Sequence, residues 1–264
     1  MITSLNFAAV VLCGGLGTRI KEITKNIIPK SLIKINGKPI IWYVISSLLR
    51  SGVNEIIFPI GFKGEKIRNY LKKEFKQNYH QFIVVKTGKD TEIIDRIKKI
   101  ANLLNKYDFF ICTNSDTLFD YDLKKFLNFH YNNKFMISLS CTKMRTAWGS
   151  LILENNTNNL KKFVKYEIID SYQLKKYPKY KCLRNSGISI INTTCLSSIK
   201  NSRSVDFENF LYNKFAKKKK VGSLIFDNFW YPIENVKDYN ELIKNYKLKR
   251  RVNLLKKKLN VKKK

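Results

Sequence analysis

Residues 7–19 read FAAVVLCGGLGTR, an apolar run that ends in a glycine-rich turn. An unbroken apolar run of this length is typical of a strand that is buried on both faces of a parallel sheet. Glycines directly after such a strand let backbone N–H groups approach phosphate oxygens without an intervening Cβ, and the guanidinium of Arg19 matches phosphate geometry. The stretch is neither a Walker A motif nor G-x-G-x-x-G. It predicts a phosphate-binding loop, with a plain tight turn as the alternative.

Short β-branched runs alternate with helical patterns along the first half of the chain. Strands are predicted at residues 7–13, 55–60, 82–86, 109–113 and 135–142, and helices at residues 40–50, 65–76, 91–104 and 122–132. This alternation predicts βαβ units, and therefore an α/β fold with a mostly parallel central sheet.

After Trp148 the pattern changes, and we expect a small added β subregion. The predicted elements are strands at 149–154 and 160–166, a polar loop at 167–184, a strand at 185–192, a helix at 206–218, a strand at 221–226 and a helix at 236–246. We expect one domain over residues 1–246, followed by a basic C-terminal tail over residues 247–264.

The charge is strongly one-sided, with 51 Lys and Arg against 20 Asp and Glu and a net charge of +31. Of the basic residues 42 are lysines and nine are arginines, spread along the chain with runs at residues 217–220 and 247–264. Nucleic-acid-binding proteins instead cluster arginine and aromatic residues in a patch or a readable motif. We therefore expect the charge to be compositional and to draw small anions to a cleft. The tail is predicted to be a solvated helix, with a basic helix on an anionic membrane face as the alternative.

The cysteines predict neither a disulfide framework nor a zinc site. There are five of them, widely spaced and without a C-x-x-C pair, and the chain has two histidines, His80 and His130. Reduced thiols in a cytoplasm are the expectation. No apolar stretch is long enough to cross a bilayer, and residues 1–6 lack the basic start of a signal peptide.

Two further motifs follow the glycine loop. Residues 29–32 read PKSL and residues 36–40 read NGKPI. Together with GGLGTR, they resemble the signature of the sugar-phosphate nucleotidyltransferases. The resemblance implies a Rossmann-like nucleotidyltransferase fold and the coupling of a nucleoside triphosphate to a sugar 1-phosphate.

Other segments resemble the glucose-1-phosphate cytidylyltransferase branch of that family. They are KPIIW at 38–42, GFKG at 61–64, TG at 87–88 with RIK at 96–98, and FWYPIE at 229–234. The branch implies CTP as the donor and an activated sugar nucleotide for surface polysaccharide, such as capsule or lipopolysaccharide. The chain departs from the branch at residues 92–95, which read EIID, and at residues 164–167, which read VKYE where the family has E-K-P.

The resemblance implies roles for individual residues. Arg19, Lys30 and Asp116 are the expected catalytic residues. The expected acceptor-binding residues are Lys165, Asn185 and Gly187. The expected nucleotide-binding residues are Leu12, Gly14, Gly15, Gly17, Thr18, Arg19, Lys30, Gly88, Arg96 and Ser115.

The resemblance also implies Mg²⁺ as a cofactor, held by Asp116 and Glu234. Asp116 follows a predicted strand, and a carboxylate at the carboxyl edge of a parallel sheet faces the ligand cleft. The alternatives are that Asp116 caps a turn and that Glu234 is an N-terminal carboxylate of the following helix. His130, Trp42, Trp230 and Cys13 are predicted to be structural.

Several readings remain open at this stage. The acceptor is a sugar 1-phosphate or another phosphorylated compound, such as a heptose phosphate or a phosphorylated alcohol or amide. The charge alone suggests a nucleic-acid-binding protein, and the departures suggest a catalytically silent relative. The expected partners are a nucleoside triphosphate and a phosphorylated acceptor, without nucleic acid, and self-association into a homo-oligomer is left open.

Overall fold

A computed structural model describes residues 6–142, 150–154, 157–164 and 180–260 of the chain. Its strands are β1 (Phe7–Leu12), β2 (Lys34–Ile35), β3 (Lys38–Pro39), β4 (Ile56–Ile60), β5 (Phe82–Lys86), β6 (Phe109–Asn114), β7 (Thr117–Phe119), β8 (Ile137–Thr142), β9 (Ser150–Glu154), β10 (Leu160–Val164), β11 (Tyr180–Asn192), β12 (Val221–Ile225) and β13 (Trp230–Pro232). Its α-helices are α1 (Lys21–Thr24), α2 (Ile40–Arg50), α3 (Gly64–Glu74), α4 (Ile93–Leu104), α5 (Leu123–Asn132), α6 (Leu196–Lys200), α7 (Phe207–Ala216), α8 (Val236–Lys244) and α9 (Tyr246–Asn260).

The chain divides into two compact units. The motif unit comprises Phe7–Thr91, Thr113–Asp122 and Asn228–Lys264, and it contains the glycine-rich turn. The long-strand unit comprises Met1–Asn6, Glu92–Cys112 and Leu123–Asp227, and it contains β11.

In the motif unit, β4 lies between β1 and β5 and is parallel to both, with Ala9 opposite Ile56 and Ile57 opposite Ile83. β4 is buried at every position, and β1 is buried at all but its last, as expected for parallel strands covered on both faces. A second, short ladder pairs β7 with β13 in antiparallel fashion, with Trp230 opposite Phe119. Sequence analysis did not predict these three-residue strands.

In the long-strand unit, β11 pairs antiparallel with both β8 and β9, and β10 pairs antiparallel with β9. β12 lies parallel to β8. β11 begins at Tyr180, so the predicted loop at residues 167–184 is wrong for residues 180–184, because pairing with β9 extends a polar segment into the sheet. The rest of that predicted loop, up to residue 179, lies outside the described residues.

The C-terminal part of the motif unit also differs from expectation. The predicted helix at residues 236–246 ends at Lys244, and a separate helix, α9, begins at Tyr246. α9 packs against α2 and α8, and its Val252 and Leu255 are buried, so it is not the purely solvated helix that its sequence predicted. Among the described residues, no helix is both long and apolar enough to cross a membrane.

Candidate active site

The carboxyl ends of three parallel strands carry several of the predicted residues to one edge of the motif unit. Directly after β1, the backbone of Cys13 forms a parallel β-bridge with that of Ile60 at the end of β4. The amide of Phe62 donates to the carbonyl of Gly14 over 3.2 Å. After β5, the amide and hydroxyl of Thr87 donate to the carbonyl of Ile60 over 2.9 and 3.0 Å. The glycine loop and the Thr87–Gly88 pair therefore share the edge where α/β sheets bind ligands.

Asp116 joins the same edge from the other side of β1. The amide of Ser115 donates to the carbonyl of Leu12 over 3.2 Å, and Ser115 is buried. This bond fixes the segment after β6 beside the start of the glycine loop, so that the predicted residues Leu12, Ser115 and Asp116 lie together.

Two glycines of the loop have different physical reasons for being glycine. Gly17 has a φ of 64°, in the left-handed region, and a Cβ placed on it lies 3.3 Å from the Cβ of Lys30. A Cβ on Gly15 meets nothing within 4 Å, and Gly15 has no positive φ. The fold thus requires glycine at position 17 but leaves open space at position 15, where an approaching ligand is the remaining reason for a missing side chain.

Lys30 and Asp116 form an ion pair at the centre of this edge. Lys30 opens a 3₁₀ turn after Pro29, and its Nζ lies 2.6 Å from Oδ2 of Asp116. The two side chains are 13% and 20% exposed, so both charges lie largely away from water. A buried cation held by a buried carboxylate is costly unless the two remain paired or are given new partners.

Arg19 and Glu234 form a second, more exposed ion pair. Nη1 of Arg19 lies 3.0 Å from Oε2 of Glu234, and the side chains are 69% and 12% exposed. Thr18 and Arg19 are both exposed. Arg19 therefore carries a largely solvated guanidinium next to a largely covered carboxylate.

Glu234 is not the residue that caps α8. The cap is Asn235, whose side chain accepts from the amide of Asp238, while the carboxylate of Asp238 accepts from the backbone of Asn235 and of Glu234. Asp238 is thus a positioning residue that the sequence analysis missed, although Asn-x-x-Asp before an apolar helical pattern resembles a capping box. Asp116 itself lies in the turn between β6 and β7, as its alternative role predicts, and its Oδ1 accepts from the hydroxyl of Thr117 over 3.4 Å.

The segments that carry the two candidate metal ligands run side by side. The amide of Ile233 donates to the carbonyl of Asp116 over 3.1 Å, which continues the β7–β13 ladder beyond Pro232 and Thr117. No group of three or more His, Cys, Asp and Glu residues suitable for a metal occurs among the described residues. Mg²⁺ sites typically use one or two carboxylates and fill the remaining positions with water and substrate phosphate oxygens, so this donor set fits that ion.

The remaining predicted site residues are distributed over both units. Gly88 is exposed with a φ of 102° in the motif unit. In the long-strand unit, Arg96 is 3% exposed on α4, and Asn185 is 1% exposed. The side chain of Asn185 accepts from the amide of Gly187 over 3.0 Å at an irregularity in β11, where Gly187 has a φ of 78°. Lys165 lies outside the described residues.

The residues predicted to be structural are confirmed as such. His130 is buried and hydrogen-bonded to Ser138 and Asn192, and burial lowers the pKa of His130 to about 4, so its ring is neutral near pH 7. Trp42, Trp230 and Cys13 are buried in the core. In the part of the chain that the structure describes, Cys13, Cys112, Cys141 and Cys195 are buried and form no disulfide bond.

Comparison with known proteins gives relatives of one kind. The chain is 29% identical over 243 residues to the D-glycero-α-D-manno-heptose 1-phosphate guanylyltransferase of Campylobacter jejuni, covering 90% of this chain and 99% of that protein. It is 28% identical to mannose-1-phosphate guanylyltransferase 1 of Arabidopsis thaliana, of which it spans 62%. It is 25% identical to the glucose-1-phosphate cytidylyltransferase of Salmonella typhi, covering 87% of this chain and 92% of that protein.

The fold has close counterparts among solved structures. A Bacillus anthracis protein described as a glucose-1-phosphate thymidylyltransferase, crystallised with a sucrose, superposes with a TM-score of 0.75 over 98% of this chain and 97% of its own, at 15% identity. This similarity confirms the predicted α/β, Rossmann-like fold with a mixed, mostly parallel sheet. Residues 8–248 match the family described as nucleotidyl transferase. The chain therefore belongs to the nucleotidyl transferase family, as its glycine loop, its PKSL segment and its paired Lys30 and Asp116 indicate.

Proposed function

We propose that this protein transfers a nucleotidyl group from a nucleoside triphosphate to a sugar 1-phosphate and releases pyrophosphate. The observation that carries the proposal is the Lys30–Asp116 ion pair, at 2.6 Å, on the edge that also carries the glycine loop. A cation suited to phosphate and a carboxylate suited to a divalent metal ion are the two charges that phosphoryl chemistry requires.

The reaction needs no nucleophile from the protein. A phosphate oxygen of the acceptor forms a bond to the α-phosphorus, on the side opposite the bond to pyrophosphate. That bond breaks, and the pyrophosphate leaves with its electron pair. The residues bind and orient the reactants and neutralise charge. The backbone N–H groups of residues 14–18 and Arg19 hold the β- and γ-phosphates, and Lys30 holds the α-phosphate next to the acceptor phosphate.

We further propose that Asp116 and Glu234 hold Mg²⁺. The ion supplies charge neutralisation on the phosphate oxygens when it is bound. Each carboxylate is paired with a cation, Asp116 with Lys30 and Glu234 with Arg19. With a triphosphate and its metal ion bound, Asp116 and Glu234 would hold the ion, and Lys30 and Arg19 would pair with phosphate oxygens in place of these carboxylates.

CTP is the proposed donor, on the strength of the motifs shared with cytidylyltransferases. Those motifs include positions with a packing role, since Trp42 is 6% exposed and a Cβ on Gly64 would lie 2.8 Å from Ile60. Residues with a packing role are shared because of common ancestry, so these motifs are weaker evidence for recognition of the cytosine base than for membership of the branch. GTP is the second candidate, because the Campylobacter relative, which is named a guanylyltransferase, shares 29% identity over 99% of its length.

The proposed acceptor is a sugar 1-phosphate, either glucose 1-phosphate or a heptose 1-phosphate, for the synthesis of surface polysaccharide. The named relatives include enzymes for both glucose and heptose phosphates. The departure from E-K-P at residues 164–167 lies in the segment where the family binds the sugar phosphate. The acceptor is therefore the least constrained part of the proposal.

A matrix of pyrophosphate-release assays tests the proposal. The purified protein is incubated with Mg²⁺, one of CTP, GTP, UTP or dTTP, and one of glucose 1-phosphate, mannose 1-phosphate, a heptose 1-phosphate or no acceptor. We expect acceptor-dependent release with one triphosphate at least tenfold above the others, and highest with CTP. Highest release with GTP selects the second candidate. No acceptor-dependent release with any pair, from a folded protein, contradicts the proposed reaction.

A further inference from the structure

The helix α9 has an unusually one-sided charge. Among its fifteen residues there is no Asp or Glu. Its basic residues are Lys247, Lys249, Arg250, Arg251, Lys256, Lys257 and Lys258. At 1.5 Å per residue the helix is about 22 Å long, enough to lie across several lipid headgroups.

One side of α9 is fixed to the motif unit. Val252 and Leu255 are buried. Nζ of Lys256 donates to the carbonyl of Asn36 over 2.7 Å, and the side chain of Asn36 donates to that of Asn253 over 2.9 Å. Lys258 pairs with Asp120. These contacts orient the helix and hold its opposite side towards solvent.

The solvent side combines unpaired basic residues with exposed apolar side chains. Lys247, Arg250, Arg251 and Lys257 are exposed and form no ion pair with any residue in the described part of the chain. Leu254 is 57% exposed, and helical spacing places it between Arg250 and Arg251 on one side and Lys257 and Lys258 on the other. Tyr246, two turns earlier, is 78% exposed.

This arrangement differs from the other lysine run of the chain. Residues 217–220 are four exposed lysines that follow the end of α7, and the large apolar residues that flank them, Phe215 and Val221, are buried. A merely compositional excess of lysine explains the run at 217–220. It does not explain an apolar side chain at the centre of a basic helical face, which is the pattern of helices that lie in a membrane interface.

We propose that α9 docks the protein onto the surface of a bilayer that contains anionic phospholipids. The basic side chains contact the headgroup phosphates, and Leu254 and Tyr246 enter the interfacial region. A basic residue close to such a surface contributes about 1 kcal/mol, which is about fivefold in the partition coefficient. The attraction falls off within a Debye length of about 8 Å at physiological ionic strength. The helix is continuous with the folded motif unit, so docking leaves the enzyme bound as a folded body.

Vesicle co-sedimentation of the full-length protein tests this inference. The probes are vesicles of phosphatidylcholine alone and vesicles that contain about one-third phosphatidylglycerol. We expect binding to the anionic vesicles alone, and a loss of that binding as salt rises. Equal binding to both vesicle types, or none to either, overturns the proposal.

Matched variants distinguish binding through α9 from binding that depends only on the net charge of the protein. The combination Arg250→Gln, Arg251→Gln and Lys257→Gln removes three charges from α9, and Lys217→Gln, Lys218→Gln and Lys220→Gln remove three charges elsewhere. We expect a loss of about a hundredfold in partitioning for the first set and less than about threefold for the second, at about fivefold per residue that contacts the surface. Equal losses show a response to total charge and overturn the site. Thermal unfolding checks that both variants are folded.

The substitution Leu254→Ser distinguishes binding of α9 to a bilayer from binding to a soluble polyanion. This substitution leaves the charge unchanged at an exposed position, and we expect it to weaken vesicle binding severalfold with an unchanged salt dependence. If Leu254→Ser has no effect on vesicle binding, while transfer RNA displaces the protein from the vesicles, α9 is a general polyanion site and the bilayer proposal fails.

Discussion

Two ion pairs lie in the candidate site, and they differ in how far water reaches their cations. In the Lys30–Asp116 pair the lysine is 13% exposed, whereas in the Arg19–Glu234 pair the arginine is 69% exposed. The two carboxylate side chains are similarly shielded, because Asp116 is 20% exposed and Glu234 is 12% exposed. The comparison therefore isolates the surroundings of the cation.

The two cations are also held differently by the chain. Lys30 opens a 3₁₀ turn after Pro29, its Cβ lies 3.3 Å from the place of a Cβ on Gly17, and its largely covered Nζ is held by Asp116. Arg19 lies in a short 3₁₀ turn, and most of its side chain is in solvent. Exposed ion pairs contribute about 0–1 kcal/mol, so Arg19 can exchange Glu234 for a phosphate with little loss. Lys30 is a preorganised group, and Arg19 is an adaptable one.

The largest expected effect follows from removing the shielded cation. We expect Lys30→Ala to lower kcat by about 10²–10³, the usual loss for one preorganised charge in a transition state. Pyrophosphate release measures it. Lys38→Ala is the matched control, because Lys38 also pairs with a carboxylate, that of Glu74, in the same unit. Retention of more than half of the wild-type rate in Lys30→Ala makes Lys30 a structural residue.

A smaller loss of activity is expected from removing the exposed cation, Arg19. Arg19→Ala should lower kcat/KM about tenfold, mostly through KM, because a solvated guanidinium adds binding energy without a fixed geometry. Arg19→Lys should recover part of the loss, since the charge returns without the bidentate fork. Steady-state kinetics with varied triphosphate provides the measurement. A loss as large as that of Lys30→Ala would remove the distinction between the two pairs.

The two glycines of the loop sharpen the comparison through the backbone. Gly17→Ala should destabilise the fold by about 1–2 kcal/mol, because a Cβ is strained at positive φ and this one lies against Lys30. Gly15→Ala should leave the unfolding temperature unchanged and weaken triphosphate binding, because the space beside it is open only until a phosphate enters. Thermal unfolding with and without triphosphate distinguishes the two. If Gly15→Ala changes neither binding nor rate, the loop does not contact phosphate.

The smallest expected effect is at Glu234. Shortening by one methylene, in Glu234→Asp, should shift the Mg²⁺ concentration for half-maximal rate by a few-fold, because octahedral coordination tolerates little displacement. Glu234→Gln should shift it further in the same direction by removing a charge. Identical Mg²⁺ titrations for wild type and both variants leave Asp116 as the sole protein ligand of the proposed metal.

Sequence alone predicted the parts of this site that are local. The strand before the glycine loop and the bounds of α2, at residues 40–50, follow from apolar periodicity over a few residues. The position of Asp116 at a strand end follows from the parallel order of the strands, which short connections impose.

The pairings between distant segments were not predictable in the same way. Lys30 and Asp116 are 86 residues apart, and Arg19 and Glu234 are 215 apart, so no local pattern links them. The start of β11 at Tyr180 depends on hydrogen bonds to β9, and the cap of α8 is Asn235, which exchanges hydrogen bonds with Asp238. For the two ion pairs and for β11, a contact between distant segments determines the structure, and local sequence propensity does not reveal it.

Equilibrium binding of CTP and GTP to the wild type and to Asp116→Asn, with and without Mg²⁺, tests most directly the claim that Asp116 exchanges Lys30 for a metal ion. In the wild type we expect Mg²⁺ to tighten binding of the preferred triphosphate at least tenfold. In Asp116→Asn we expect most of that gain to disappear, while binding without Mg²⁺ becomes at least as tight as in the wild type, because Lys30 no longer has a competing carboxylate. An equal gain from Mg²⁺ in both proteins, with binding weakened to the same extent with and without the ion, would contradict the exchange.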